Sequence, residues 1–191
     1  MSRRFILATA ALLAALAGPA MAQLVVPAQS DISFVSKQMG VPVEGHFKQW
    51  AAAISLDPKK PEAGKVSFTI QTGSAGFGAA ETDAEVPKAA WFNVAKFPQA
   101  SFTSTSIKAL GGGKFEVRGK LTIKGATQDV VVPVAVLQAG PANGTISTAT
   151  GSFTLKRLDF KIGEGEWADT SMVANDVLVK FKLALTGMAP L

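Results

Sequence analysis

The stretch Lys114-Phe115-Glu116-Val117-Arg118-Gly119-Lys120-Leu121-Thr122-Ile123-Lys124 decides the fold. Phe115, Val117, Gly119, Leu121 and Ile123 fall on one parity, and Lys114, Glu116, Arg118, Lys120, Thr122 and Lys124 on the other. A β-strand sends successive side chains to opposite faces, so this segment reads as a strand with one oily and one wet face. Val177, Val179, Phe181, Leu183 and Leu185 repeat the pattern, as do Val66, Phe68 and Ile70. Further strands are expected over 32–36, 43–56, 101–107, 129–137 and 145–155, for about eight in all, separated by turn-rich pieces.

Within 43–56 the apolar parity changes, from Val43, Gly45 and Phe47 to Trp50, Ala52, Ile54 and Leu56. A regular strand cannot change parity, so the pattern predicts a bulge or sharp bend near Lys48-Gln49. Asp57-Pro58, Gly111-Gly112-Gly113, Lys124-Gly125 and Asn143-Gly144 are turn signals. Asn143-Gly144-Thr145 also fits a glycosylation sequon, but Asn-Gly between two strands reads more simply as a hairpin turn. One segment is not strand-like: Val86, Ala89, Ala90 and Trp91 at helical spacing predict one short helix over 83–92, with Pro87 in its first turn and Thr82 or Asp83 as caps. An antiparallel sheet with one oily face must cover it, and rolling eight strands into a barrel does so while removing exposed edges. Such a barrel is wide enough for one small ligand.

Composition narrows the chemistry. The chain has 191 residues, no cysteine and one histidine, against 12 Phe, 3 Trp and no Tyr. Disulfides, thiolate metal centres and cysteine nucleophiles are excluded, and polyhistidine metal sites cannot form within one chain. Residues 1–22 combine a basic Ser2-Arg3-Arg4, an apolar run from Phe5 to Ala17 and the small-x-small Ala20-Met21-Ala22. They read as a signal peptide cleaved after Ala22, with Arg3-Arg4 leaving the general and twin-arginine routes open. Removing them leaves one domain over 23–191 with 17 basic and 14 acidic residues, a net charge of +3. Its charges are interspersed, which argues against nucleic-acid binding.

Catalytic constellations are weak. His46 lies out of phase with Phe47 and points to the wet face, and no Gly-x-Ser-x-Gly elbow accompanies it. Glu164, Glu166 and Asp169 are spaced so that they could offer oxygens to a hard cation, yet no full calcium-loop pattern surrounds them. Lys37, Arg157, Asp159 and Lys161 either hold a polar headgroup at a barrel mouth or solvate it. The aromatic residues are spread over nearly every element, and with the small residues Gly45, Gly119, Ala149 and Gly151 they suggest an interior combining bulk and free space.

An ordered set of short motifs runs through the chain: Ser33-Phe34, Lys37-x-Met39-Gly40, Val43-x-Gly45-x-Phe47, Leu56-Asp57-Pro58, Glu81-x-Asp83, Trp91-Phe92-Asn93-Val94 with Phe97-Pro98 and Phe102, Gly119-x-Leu121-Thr122-Ile123-Lys124-Gly125 and Arg157-x-Asp159-Phe160-x-Ile162-Gly163. In this set the chain resembles the YceI-like family of exported bacterial proteins, departing from its usual pattern at Trp91, where Phe is common. The resemblance implies an all-β, eight-stranded antiparallel lipocalin-like β-barrel with an apolar tunnel. It also implies a periplasmic binding or carrier protein, not an enzyme and without a cofactor, that sequesters an isoprenoid lipid such as a polyprenyl phosphate or the tail of a quinone. On this reading Phe47, Phe68, Trp91, Phe92, Phe102, Phe153 and Trp167 line the tunnel, and Lys37 or Arg157 contacts the headgroup. A transient membrane contact and a homodimer stay open. The alternatives are a metal-assisted hydrolase of a lipid-like substrate, built on Glu164, Glu166 and Asp169, and a stress-related interaction protein with a filled core.

Overall fold

Alternation of burial follows alternation of sequence through most of the chain. The computed structural model describes residues 22–140 and 145–191, so all but the last residue of the expected signal peptide over 1–22 and the expected turn at Asn143-Gly144 lie outside the described residues. The strands are β1 (Leu24–Val25), β2 (Asp31–Gln38), β3 (Val41–Phe47), β4 (Trp50–Ser55), β5 (Lys65–Gln71), β6 (Ala75–Gly76), β7 (Gln99–Gly111), β8 (Lys114–Ile123), β9 (Ala126–Ala139), β10 (Ile146–Lys156) and β11 (Asp176–Thr186), with one helix, α1 (Ala80–Glu85). In β8 the five residues of the predicted oily face are all buried.

The strands form one antiparallel sheet in the order β4-β5-β7-β8-β9-β10-β11-β2-β3-β6, with β1 on β11. β4 at one end and β3, which carries only the two-residue β6 beyond it at the other, are halves of a single chain segment: β3 pairs with β2, β4 pairs with β5, and the chain bends between them at Lys48-Gln49. The sheet therefore curls on itself into a barrel, and the parity change is what lets Phe47 and Ile54 both face inward. Eight long segments were expected; eleven strands arise because this segment splits at its bend and two strands of two residues are added. Gln23 bridges to Ile54 and its side-chain carbonyl accepts the Leu56 N–H at 2.7 Å, tying β1 to β4.

Two-residue turns connect β2 to β3 at Met39-Gly40 and β8 to β9 at Lys124-Gly125, all four residues with positive φ (48°, 82°, 50° and 77°). Such turns match the twist of the strands they join. The helix differs from expectation. It spans 80–85, and 86–92 forms turns closed by Phe92 N–H to Val86 C=O and Trp91 N–H to Lys88 C=O. Pro87 is the reason: it lacks an N–H for the next helical bond and its ring collides with the preceding turn, so the helix stops before it rather than starting around it. Asp83 is no helix cap either; its carboxylate accepts the Phe77 N–H at 2.6 Å.

Candidate functional site

The inward faces of the strands do not meet. They enclose a cavity of about 810 Å³ that runs the length of the barrel, from Ile54, Leu56, Ile107, Val136 and Leu185 at one end to Gln38, Glu81, Glu85, Lys88 and Glu166 at the other. That volume is within the size range of ligand pockets. The strand registers place the β2–β3 turn, α1 and the 157–175 loop at the polar end, which forms the mouth.

Three glycines keep the wall thin. A Cβ on Gly45 would lie 2.4 Å from the Phe34 ring, one on Gly119 2.5 Å from Phe102, and one on Gly151 2.5 Å from Phe181. Gly45 is directly opposite Phe34, and Gly151 directly opposite Phe181, on neighbouring strands. Each ring thus rests where its neighbour's side chain would be, and the lumen stays open at those levels. The rings also contact each other. Phe34 lies 5.1 Å from Phe47 and 5.2 Å from Phe77, Phe47 6.2 Å from Phe92, Phe68 6.5 Å from Phe102, and Trp91 5.6 Å from Trp167. These are separations at which tilted and edge-on aromatic pairs attract.

Phe47, Phe68, Trp91, Phe92, Phe102, Phe153 and Trp167 all border the cavity. Each is only partly buried although it points inward, because part of its surface faces the cavity instead of another side chain; Phe115, packed among neighbours, is 3% exposed. The interior is therefore not that of a filled core. Phe34, Phe77 and Phe181 border the same space and were not singled out from the sequence. The parity of β2 and β11 carries the signal for Phe34 and Phe181. Lys37 is placed elsewhere: Ile32, Phe34 and Ser36 of β2 face the cavity, so Lys37 falls on the exposed outer face.

Arg157 borders the cavity, is 2% exposed, and spends its guanidinium on the protein itself. Its Nε–H donates to Ala174 C=O, Nη1 to Ile162 and Gly163 C=O, and Nη2 to Trp167 and Val173 C=O, at 2.7–3.1 Å. Five N–H groups meet five carbonyls, so the side chain clamps the 157–175 loop and has no donor left for a headgroup. Burial pulls the Arg157 pKa down from its ordinary value, and the ring of carbonyls holds the charged form. Lys124, also buried, acts similarly, donating to Ala89 C=O at 2.8 Å, Lys161 C=O at 2.7 Å and the Glu164 carboxylate at 2.8 Å. This bond holds the Glu164 carboxyl below its ordinary value.

The other candidate groups are dispersed. Asp169 accepts from Ser171, Glu164 is bound to Lys124, and Glu166 stands at the mouth. Among the described residues no three His, Asp or Glu side chains come together as a metal-holding group. His46 is on the outer face, 3.0 Å from the Asp31 carboxylate.

Comparison with known proteins agrees with this architecture. The model of the YceI-like domain matches residues 24–185. The chain belongs to the YceI-like family. A YceI-like relative described as a UPF0312 protein, from Ectopseudomonas mendocina, is 38% identical over 120 residues, covering 62% of this chain and 63% of that protein, so the match spans less than two thirds of the relative's length. The crystal structure of BcnA from Burkholderia cenocepacia superposes with a TM-score of 0.79 at 43% identity, over 84% of this chain and 98% of BcnA. A polyisoprenoid-binding domain from Saccharophagus degradans, implicated in plant cell wall breakdown, shares the fold with a TM-score of 0.65 at 16% identity, covering 88% and 98% of the two chains.

Proposed function

We propose that this YceI-like protein is an exported, periplasmic carrier that sequesters an isoprenoid lipid or the isoprenoid tail of a quinone in its barrel, acting by binding and not by catalysis. The observation that carries the reading is the aromatic-lined cavity of about 810 Å³, whose charged residues are gathered at one end. The Saccharophagus degradans domain, described as polyisoprenoid-binding, supports the same ligand class through the shared fold.

Size and energy set bounds on the complex. A tail of ~40 carbons at ~0.8 kcal/mol per buried methylene would yield ~32 kcal/mol, above the ~18–21 kcal/mol ceiling of non-covalent affinity. Such a tail is therefore only partly buried, its outer part reaching the mouth, and ordering the tail offsets part of the gain. Met39 and Met172, 78% and 46% exposed beside the mouth, give that outer part an apolar lip and suit brief contact with a membrane surface. The test is organic extraction of freshly purified protein followed by mass spectrometry, with uptake of polyprenyl and quinone probes by delipidated protein. Isoprenoid in stoichiometric amount, or saturable uptake, is expected. Protein that carries none and takes up no probe overturns the proposal.

A further inference from the structure

Opposite the mouth, the barrel is floored by two pieces of chain that are not strands. After β4 the chain turns inward at Leu56, which is buried and borders the cavity. After β11, which ends at Thr186, the segment 187–191 folds across the barrel end. Gly187 holds φ at 79°, a left-handed value that glycine adopts without strain, and there the chain leaves the line of the strand. Met188 then turns back into the barrel, where it borders the cavity and packs against the cluster containing Ile54, Leu56, Val136 and Leu185.

Two glutamines hold this segment. Gln138 on β9 shares the parity of Val136, and its neighbour Ser147 on β10 that of Ala149, so both take inward positions that the rest of the lumen fills with apolar residues. The Gln138 amide donates to Ala189 C=O at 2.9 Å and to Ser147 Oγ at 3.1 Å, and its carbonyl accepts the Leu191 N–H at 3.1 Å. Gln23, whose carbonyl accepts the Leu56 N–H, donates to Gly187 C=O at 3.5 Å and so joins the two halves of the floor. A side-chain amide at an inward position is costly unless it is bonded. Here its bonds go to backbone beyond β11, and they fix where Met188 stands.

We infer, building on the carrier reading above, that Met188 is the stop against which the inner end of a bound tail comes to rest. It thereby sets the length of tail that the barrel takes up, and Gln138 is the residue that positions it. A tail entering from the mouth gains about fourfold in affinity for each methylene buried, until it meets the thioether. Further carbons stay at the mouth and add little.

Two series of alcohols graded in length, prenyl and straight-chain, test this on the purified protein, the second resolving single carbons. Affinity is measured by displacement of a fluorescent fatty-chain probe for the parent, Met188→Ala, Met188→Trp and Gln138→Ala. The parent is expected to show a rise of about fourfold per carbon that breaks to a plateau. In Met188→Ala the break moves to longer chains by about three carbons, the size of the side chain removed, and chains just past the parent's break bind about tenfold or more tightly. In Met188→Trp it moves to shorter chains by about two carbons. Gln138→Ala releases the segment and blurs the break while short chains keep their affinity. A merely structural role for Met188 would weaken every length by a common factor and leave the break in place. A parent curve without a break, or a break at the same length in Met188→Ala, overturns the inference and leaves the carrier reading intact. A break as sharp in Gln138→Ala as in the parent overturns the positioning role. Should Met188→Trp not fold, Met188→Ala decides by itself. A parent that binds no member of either series overturns both readings.

Discussion

Replacement of Arg157 tests the account of the mouth most severely, because a headgroup contact and a loop clamp predict opposite results. The guanidinium satisfies five carbonyls from 162–174 while 2% exposed. In Arg157→Lys one ammonium with three donors stands in for five, and its tetrahedral geometry cannot reproduce the planar fork. At least two buried carbonyls lose their partner, at about 1–3 kcal/mol each. In Arg157→Met all five do, but the cost of taking the cation out of water disappears with it, so the net loss is about 3–5 kcal/mol. A loss of ~3 kcal/mol is a large part of the stability of a domain this size and lowers Tm by roughly 6–12 °C. Urea unfolding measures the loss, and amide exchange locates it. Protection is expected to fall over 161–174 in Arg157→Lys while β8 and β9 keep theirs. If Arg157→Lys stays within ~0.5 kcal/mol of the parent yet binds lipid much more weakly, the clamp argument is refuted and Arg157 is a headgroup contact after all.

Lys37→Ala is expected to change neither stability beyond ~0.5 kcal/mol nor lipid affinity, as isothermal titration and urea unfolding would check; a clear loss of affinity would contradict its outer-face placement. Gly45→Val places a side chain where the Phe34 ring now rests, 2.4 Å from a Cβ whose three nearest contacts are all atoms of that ring, so the ring must swing into the lumen. A cost of about 1–3 kcal/mol and a preference for shorter tails are expected, read from unfolding midpoints and a chain-length series. Glu164 has its pKa lowered by Lys124 from an ordinary 4.5, so the pair contributes fully above that value and the contribution is lost as pH falls through the lowered folded value. Acid unfolding profiles should therefore lose a step in Glu164→Gln relative to the parent, and identical profiles would show that the bond does not matter.

Elements with one buried face were the most readable in the sequence, because burial writes a period of two directly into residue choice. β8 is the clear case, and the parity change at Lys48-Gln49 located the bend between β3 and β4, which lie near opposite ends of the sheet. The short helix was misplaced because two signals compete at Pro87: a proline opens a helix as readily as it stops one, and the helical spacing of Val86, Ala89, Ala90 and Trp91 lies on its far side, in turns. That displacement also hid the rim, since Glu81 and Glu85 border the mouth only once α1 is set over 80–85. For Lys37 the parity of Phe34 already pointed outward, and treating the charge by itself overrode it. Arg157 is of another kind. Its partners are backbone carbonyls, which every residue carries, so no side-chain pattern separates a clamp from a headgroup contact. The cavity stands between these cases: Gly45, Gly119 and Gly151 announce missing side chains, but whether the facing rings fill the lumen or fall back into the spaces left for them depends on rotamers. Three rings lying within 2.5 Å of where a glycine's Cβ would be show that they fall back. The same aromatic content that would ordinarily make a packed core here makes the wall of an open one.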